Sequence, residues 1–258
     1  MLNIGLENSS PVIAATVLGL LAAFTTSLGG LTILLLRREV SPRVLDIGLG
    51  FSSGVMTVAS FTSLLLPAME LSGSPTVPLT GFILGALSIA VLHRLLPHEH
   101  PFTEKYEGPE WGRKIRAAWL VALAILIHNI PEGMAIGAST AYNIATGVAT
   151  GVAIALQDFP EGLAVALPVL AATGRKGLAI AIAVLSGVSE LVVAVPTALL
   201  GSIAASSLPF LLGLGAGAMI YVVSHEALPE SHRSGYENEA TLGFFIGFIV
   251  MLLLDTML

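Results

Sequence analysis

Eight apolar runs, each close to the ~20 residues that a helix rising ~1.5 Å per residue needs to cross ~30 Å of hydrocarbon, recur along this 258-residue chain. They are Val12 to Leu36, Val44 to Leu66, Leu79 to Leu96, Ala117 to Thr140, Ile144 to Leu170, Gly177 to Leu200, Leu208 to Leu228 and Ala240 to Met257. The gaps between them leave no room for a soluble domain. The expected fold is therefore one all-α integral membrane domain spanning residues 1–258, with eight transmembrane helices. Composition agrees: 11% of residues are charged, against about 25% in a soluble domain, and mean hydropathy is +0.89. Cysteine is absent, which excludes disulfides, thiolate catalysis and sulfur-rich metal sites. Met1 to Pro11 lacks a basic segment and leads straight into the first run, so no separate signal peptide is expected.

Lys and Arg resist translocation and mark the cytoplasmic side. Arg37, Arg38 and Arg43 follow the first run. Arg94, Lys105, Arg113, Lys114 and Arg116 follow the third, Arg175 and Lys176 the fifth, and Arg233 the seventh. All 11 basic residues thus fall on one side, which predicts both termini outside and supports the span count, because one missed helix would scatter them over both faces. The longest connection, residues 97–116, is polar and proline-punctuated and reads as a mobile cytoplasmic loop. Its His98, Glu99 and His100 suit either loose metal binding or a solvated surface.

Within the apolar runs one polar motif occurs twice. His128-Asn129-Ile130-Pro131-Glu132-Gly133 lies in the fourth run and Gln157-Asp158-Phe159-Pro160-Glu161-Gly162 in the fifth, both near the bilayer midplane. Two successive spans run in opposite directions. The shared motif therefore predicts inverted-repeat pseudo-symmetry, with a two-fold axis in the membrane plane, an arrangement that transporters use for midplane sites. Positions three and four apart share a helix face, so His128 and Asn129 project with Glu132, and Gln157 and Asp158 project with Glu161. Pro131 and Pro160 free the carbonyls of Ile127 and Leu156 and loosen each helix beside these side chains.

Glu190, flanked by Ser186 and Ser189, lies at similar depth in the sixth run. An ionised carboxylate facing lipid at a helix centre costs about 2.5–3.5 kcal/mol, so Glu132, Asp158, Glu161 and Glu190 need a compensator. A divalent cation is the simplest one, and imidazole, carboxylate and amide ligands suit Zn²⁺ and its borderline neighbours. The competing structural reading makes each a satisfied buried polar contact or a simple kink; convergence of seven polar groups at one depth favours metal. His225 and Glu226 near the cytoplasmic end of the seventh run, with Glu230 and His232 beyond, and His93 near that end of the third, could form an exit path or merely anchor helix ends. Glu70 and Asp255 read as ordinary boundary residues.

With these motifs the sequence resembles, over its whole length, the ZIP (Zrt/Irt-like protein) family of metal transporters, in its GufA-like bacterial branch. It lacks the HExPHExGD form and the long histidine-rich loops of other branches. The resemblance implies a divalent metal transporter with no catalytic cofactor; its ion is most simply Zn²⁺, with Cd²⁺, Fe²⁺ or Mn²⁺ as alternatives that nitrogen and oxygen ligands also accept. It implies a binuclear site: one ion on His128, Glu132, Gln157 and Glu161, the second on Asn129, Glu132, Asp158, Glu161 and Glu190. It also implies movement toward the cytoplasm, a homodimer in a bacterial plasma membrane, and an elevator in which spans one, four, five and six slide against two, three, seven and eight. Divalent ions, lipid and a second copy are the expected partners, and nucleic acid is not.

Two other classes compete. An intramembrane metal-dependent hydrolase would use a metal with Glu as general base, but no HExxH or Ser-Lys arrangement accompanies the motif. An anion or organic-solute carrier would need cationic groups within the spans, and no Lys or Arg lies there away from a span end.

Overall fold

A computed structural model describes residue 6 and residues 9–35, 41–96, 98–99, 106–107 and 117–257, with backbone alone at 98–99, 106–107, 117–126, 128, 168, 171 and 172. The described residues form eight long helical segments: α1 Pro11–Leu34, α2 Pro42–Ser72, α3 Thr76–Leu95, α4 Ala117–Tyr142, α5 Ile144–Thr173, α6 Lys176–Ile203, α7 Ala205–Ser231 and α8 Glu237–Met257. Six of these, α1 to α3 and α6 to α8, are long and apolar enough to cross a membrane. Phe24, Leu87, Val192 and Phe245 lie exposed on their outer faces, a surface suited to lipid rather than water.

Local signals set the helix ends, and several helices outrun the apolar runs. Ser10 caps α1 by accepting the Ile13 N–H at 3.3 Å, with Pro11 at the first helical position. Asn143 breaks the chain between α4 and α5 and caps α5 by accepting the Ala145 N–H at 2.8 Å. Gly73 and Gly174 close α2 and α5 with φ of 62° and 64°. The long described elements are all helices, as expected, and the 97–116 connection adds only one short ladder among its described residues. Leu96 is extended ahead of Pro97, as proline requires of its predecessor. Beyond it β1 (His98–Glu99) pairs antiparallel with β2 (Tyr106–Glu107), His98 opposite Glu107.

Helices pack as parallel pairs through glycines. A Cβ on Gly243 would strike the Ile47 carbonyl and one on Gly247 that of Phe51, so α8 rises beside α2 in the same direction. Gly213 against Pro78 and Gly217 against Phe82 pair α7 with α3 likewise. Gly133 against Glu190 and Gly137 against Ala194 pair α4 with α6, while Leu18 near Gly151 and Thr26 near Gly162 pair α1 with α5. Contacts of Gly19 with Leu191 and Gly30 with Ala183 make α1 and α6 antiparallel. Helices an even number apart in sequence thus run together, and α1 and α6, an odd number apart, run opposed.

The second half also repeats the first outside the polar motif. Leu66-Pro67, Gly73, Gly81-Phe82 and Gly85 recur at identical intervals as Leu228-Pro229, Gly235, Gly243-Phe244 and Gly247. The structure repeats with them: a π turn precedes each Leu-Pro, at Ser60–Leu65 and Val223–Ala227, and Gly73 and Gly235 both have positive φ.

Where α7 turns into α8, the hydroxyl of Ser234 donates to Asp46 Oδ1 of α2 at 2.9 Å. Asp46 is 1% exposed and its Oδ2 accepts no hydrogen bond. Ser234→Ala should therefore destabilise the fold by about 1 kcal/mol, the usual net worth of one hydrogen bond, because the Ser234 backbone still serves Asp46. Asp46→Asn, which keeps the accepting oxygen, should cost less. Thermal unfolding of the detergent-solubilised protein distinguishes the two.

Candidate metal centre

α4 and α5 cross at their repeated motifs, and neighbouring helices hold them there. Gly133 lets α4 approach the Glu190 carbonyl of α6, and Gly162 lets α5 approach the Thr26 carbonyl of α1. A side chain at either glycine would push the motif helices off their supports. Both helices continue through Pro131 and Pro160.

Three carboxylates meet between these helices. One ligand oxygen each from Glu132, Asp158 and Glu161 lies within 4.8 Å of the others. Glu190 of α6 is their electrostatic neighbour, while the Thr26 hydroxyl of α1 donates to the Ala22 carbonyl of its own helix at 2.9 Å. Asn129, Glu132, Gln157, Asp158 and Glu190 are each at most 1% exposed, and Glu161 is half-buried.

Two amides are oriented by hydrogen bonds. Gln157 Nε2 donates to Glu132 Oε1, linking α5 to α4. Asn129 Nδ2 donates to the Ser186 carbonyl at 2.7 Å, to Ser186 Oγ at 2.8 Å and, more distantly, to Glu190 Oε1 at 3.3 Å. Their nitrogens being so engaged, the oxygens face away. Gln157 Oε1, Asn129 Oδ1, Glu132 Oε2, Glu190 Oε2 and both oxygens of Asp158 are buried and accept no hydrogen bond. Buried acceptors are nearly always satisfied in folded proteins, and a set of six from three helices is the donor chemistry of a hard or borderline dication.

His128 lies on the same helix, but its side chain is outside the described residues. In the sequence Ser186 is only a flank of Glu190. Thr26 carries no signal of its own, since threonine is common in apolar helices; its neighbours Gly29 and Gly30 are the available hint of close approach.

A second polar cluster lies between α3 and α7. His93 Nε2 sits 2.6 Å from Glu226 Oε1, with the two side chains 2% and 5% exposed. The His93 ring packs edge-on against Tyr221 and His225 at 5.6 and 5.3 Å. His232 is turned elsewhere, toward Ser231 and Thr241. The side chain of His98 and all of His100 lie outside the described residues. Asp255, read as a boundary residue, accepts a hydrogen bond from Ser63 at 3.1 Å across α2 and α8. In the repeat, Asp255 stands where His93 stands and Ser63 where His225 stands, so the two clusters are counterparts.

Comparison with known proteins gives this geometry its context. Residues 97–255 match the family model described as ZIP zinc transporter. The chain belongs to the ZIP family. It is 43% identical over 252 residues to the zinc transporter ZIPB of Bordetella bronchiseptica, covering 94% of this chain and 81% of that protein. It is 39% identical over 253 residues to the zinc transporter GufA of Myxococcus xanthus, covering 94% and 98%. A third relative, the zinc transporter ZupT of Salmonella newport, is 37% identical over 163 residues, covering 62% and 63%. This ZIP chain is accordingly a multi-pass membrane protein of a metal-transporter family. Family membership lends the hydrolase reading no support.

Proposed function

We propose that this ZIP protein carries Zn²⁺, with Cd²⁺, Fe²⁺ and Mn²⁺ as chemically similar cargo, into the cytoplasm through a binuclear site midway across the membrane. One ion is held by His128, Glu132, Gln157 and Glu161, the other by Asn129, Glu132, Asp158, Glu161 and Glu190, with the two motif glutamates shared. The observation that carries this reading is the set of buried acceptor oxygens on α4, α5 and α6 that no protein donor satisfies. All eight helices span the membrane with both termini outside; the one-sided Lys and Arg support this orientation, and the relative helix directions are consistent with eight spans.

Transport is by sliding of α1, α4, α5 and α6 against α2, α3, α7 and α8. The closest packing lies inside these two groups, α1 with α5 and α6 and α4 with α6 in one, α2 with α8 and α3 with α7 in the other. That partition, and the exchange of the pairs α1–α5 with α6–α4 and α2–α8 with α7–α3 under the repeat, support an inverted two-fold arrangement about the site. The cluster of His93, His225 and Glu226 receives the ion on the cytoplasmic side. The transporter works as a homodimer in a bacterial plasma membrane.

Purified protein in liposomes should take up radioactive zinc with saturation, and unlabelled cadmium should compete. Uptake no faster than in protein-free liposomes would overturn the reading. Because ligands bind metal only when deprotonated, zinc affinity in detergent should fall as pH is lowered from 7 to 5, with protons released on binding. Calorimetry in buffers of different ionisation enthalpy measures both.

A further inference from the structure

The hydrogen bonds around Asn129 show a competition. A side-chain amide carries two N–H hydrogens, yet three acceptors lie near Asn129 Nδ2: the Ser186 carbonyl at 2.7 Å, the Ser186 hydroxyl at 2.8 Å and Glu190 Oε1 at 3.3 Å. The carbonyl and the hydroxyl are the nearer two and suffice for both hydrogens. Glu190 is the surplus acceptor, with its other oxygen accepting no hydrogen bond. All three residues are at most 2% exposed and so are shut away from bulk solvent. The carbonyl is shared further, since Ser189 Oγ donates to it at 2.5 Å.

From this we infer that Ser186 is a positioning residue for metal binding: its hydroxyl occupies the second Asn129 hydrogen, so that Asn129 Oδ1 faces the site and the Glu190 carboxylate is left available to an arriving ion. The inference rests on the transport reading above and adds to it a residue that is not itself a ligand. Without the hydroxyl, the second amide hydrogen has Glu190 as its one remaining near acceptor. A hydrogen bond from an amide to a buried carboxylate is among the stronger kinds. The carboxylate is then held against α4, and an ion must break that bond to recruit it. The cost falls on the ion whose ligands include Asn129 and Glu190.

Ser186→Ala should raise the half-saturating zinc concentration for uptake about tenfold, with the maximal rate changed less, and should weaken zinc binding to the purified protein by a similar factor. Ser186→Thr keeps a hydroxyl and should restore both. A double-mutant cycle tests the route of action. In an Asn129→Ala background, where no amide hydrogen remains to be occupied, Ser186→Ala should change zinc affinity less than twofold. Equal defects in Ser186→Ala and Ser186→Thr would overturn the inference. So would a Ser186→Ala effect of the same size with and without Asn129. Failure of the unmutated protein to bind or take up zinc would instead refute the transport reading.

Discussion

Replacing Glu132 with alanine should reduce zinc uptake in proteoliposomes by about 100-fold or more, a larger loss than the 10- to 100-fold typical of residues that only support a metal ligand. The side chain is fully buried, takes the Gln157 amide on one oxygen and keeps the other free of protein donors. It also lies within ligand distance of both Asp158 and Glu161. Alanine removes a carboxylate shared by both proposed ions and leaves the Gln157 amide without its acceptor. The second effect is structural and worth about 1–3 kcal/mol, so the variant should still insert and purify. Glu132→Gln separates the two contributions, because its amide oxygen can accept from Gln157 while the negative charge is gone. Thermal stability close to the unmutated protein together with lost uptake assigns the defect to the charge. If either variant retained more than a tenth of normal uptake, Glu132 would not be a shared ligand.

What could be read from the sequence here was set by how much a residue type costs in lipid. Acids and amides inside an apolar run are expensive, so Glu132, Asp158, Glu161 and Glu190 stood out one by one, and the structure places them on adjoining helices. Residues cheap in lipid did not stand out. Thr26 and Ser186 acquire meaning only through which neighbour they touch: for Thr26 that depends on α1 packing beside α5 and α6, and for Ser186 on α6 packing beside α4, tertiary facts without a local signature. The π turns in α2 and α7 were illegible for the same reason, since one extra residue in a helical turn leaves hydrophobic periodicity nearly unchanged. The wider repeat was legible but needed comparison of the chain with itself: Gly81-Phe82 and Gly85 against Gly243-Phe244 and Gly247 give it directly. That comparison also changes the reading of Asp255. Taken alone it is a polar residue at a helix end, but as the counterpart of His93 it belongs to a polar crosslink between α2 and α8, matching the one between α3 and α7.

Substituting Gly162 with valine should abolish assembly of the site while leaving every proposed ligand in the sequence. Even a single carbon at this position would run into the Thr26 carbonyl, and a backbone atom cannot rotate away as a side chain can. Relief requires α5 to move off α1, which shifts the adjoining Glu161 and, one turn back, Asp158. In a bundle held by close contact rather than by a hydrophobic drive between helices, losing such an approach forfeits the van der Waals contact along the whole seam. The expected outcome is a drop of about 1–3 kcal/mol or more in stability, in the range for overpacked cores, with zinc binding lost in whatever protein survives purification. Gly174→Ala provides the contrast. Gly174 has φ of 64° with open space around the position of a Cβ, so alanine there meets only the left-handed backbone penalty of about 1–2 kcal/mol and should bind zinc normally once folded. Equal zinc affinity in the two variants would mean that the α1–α5 seam does not position the motif carboxylates.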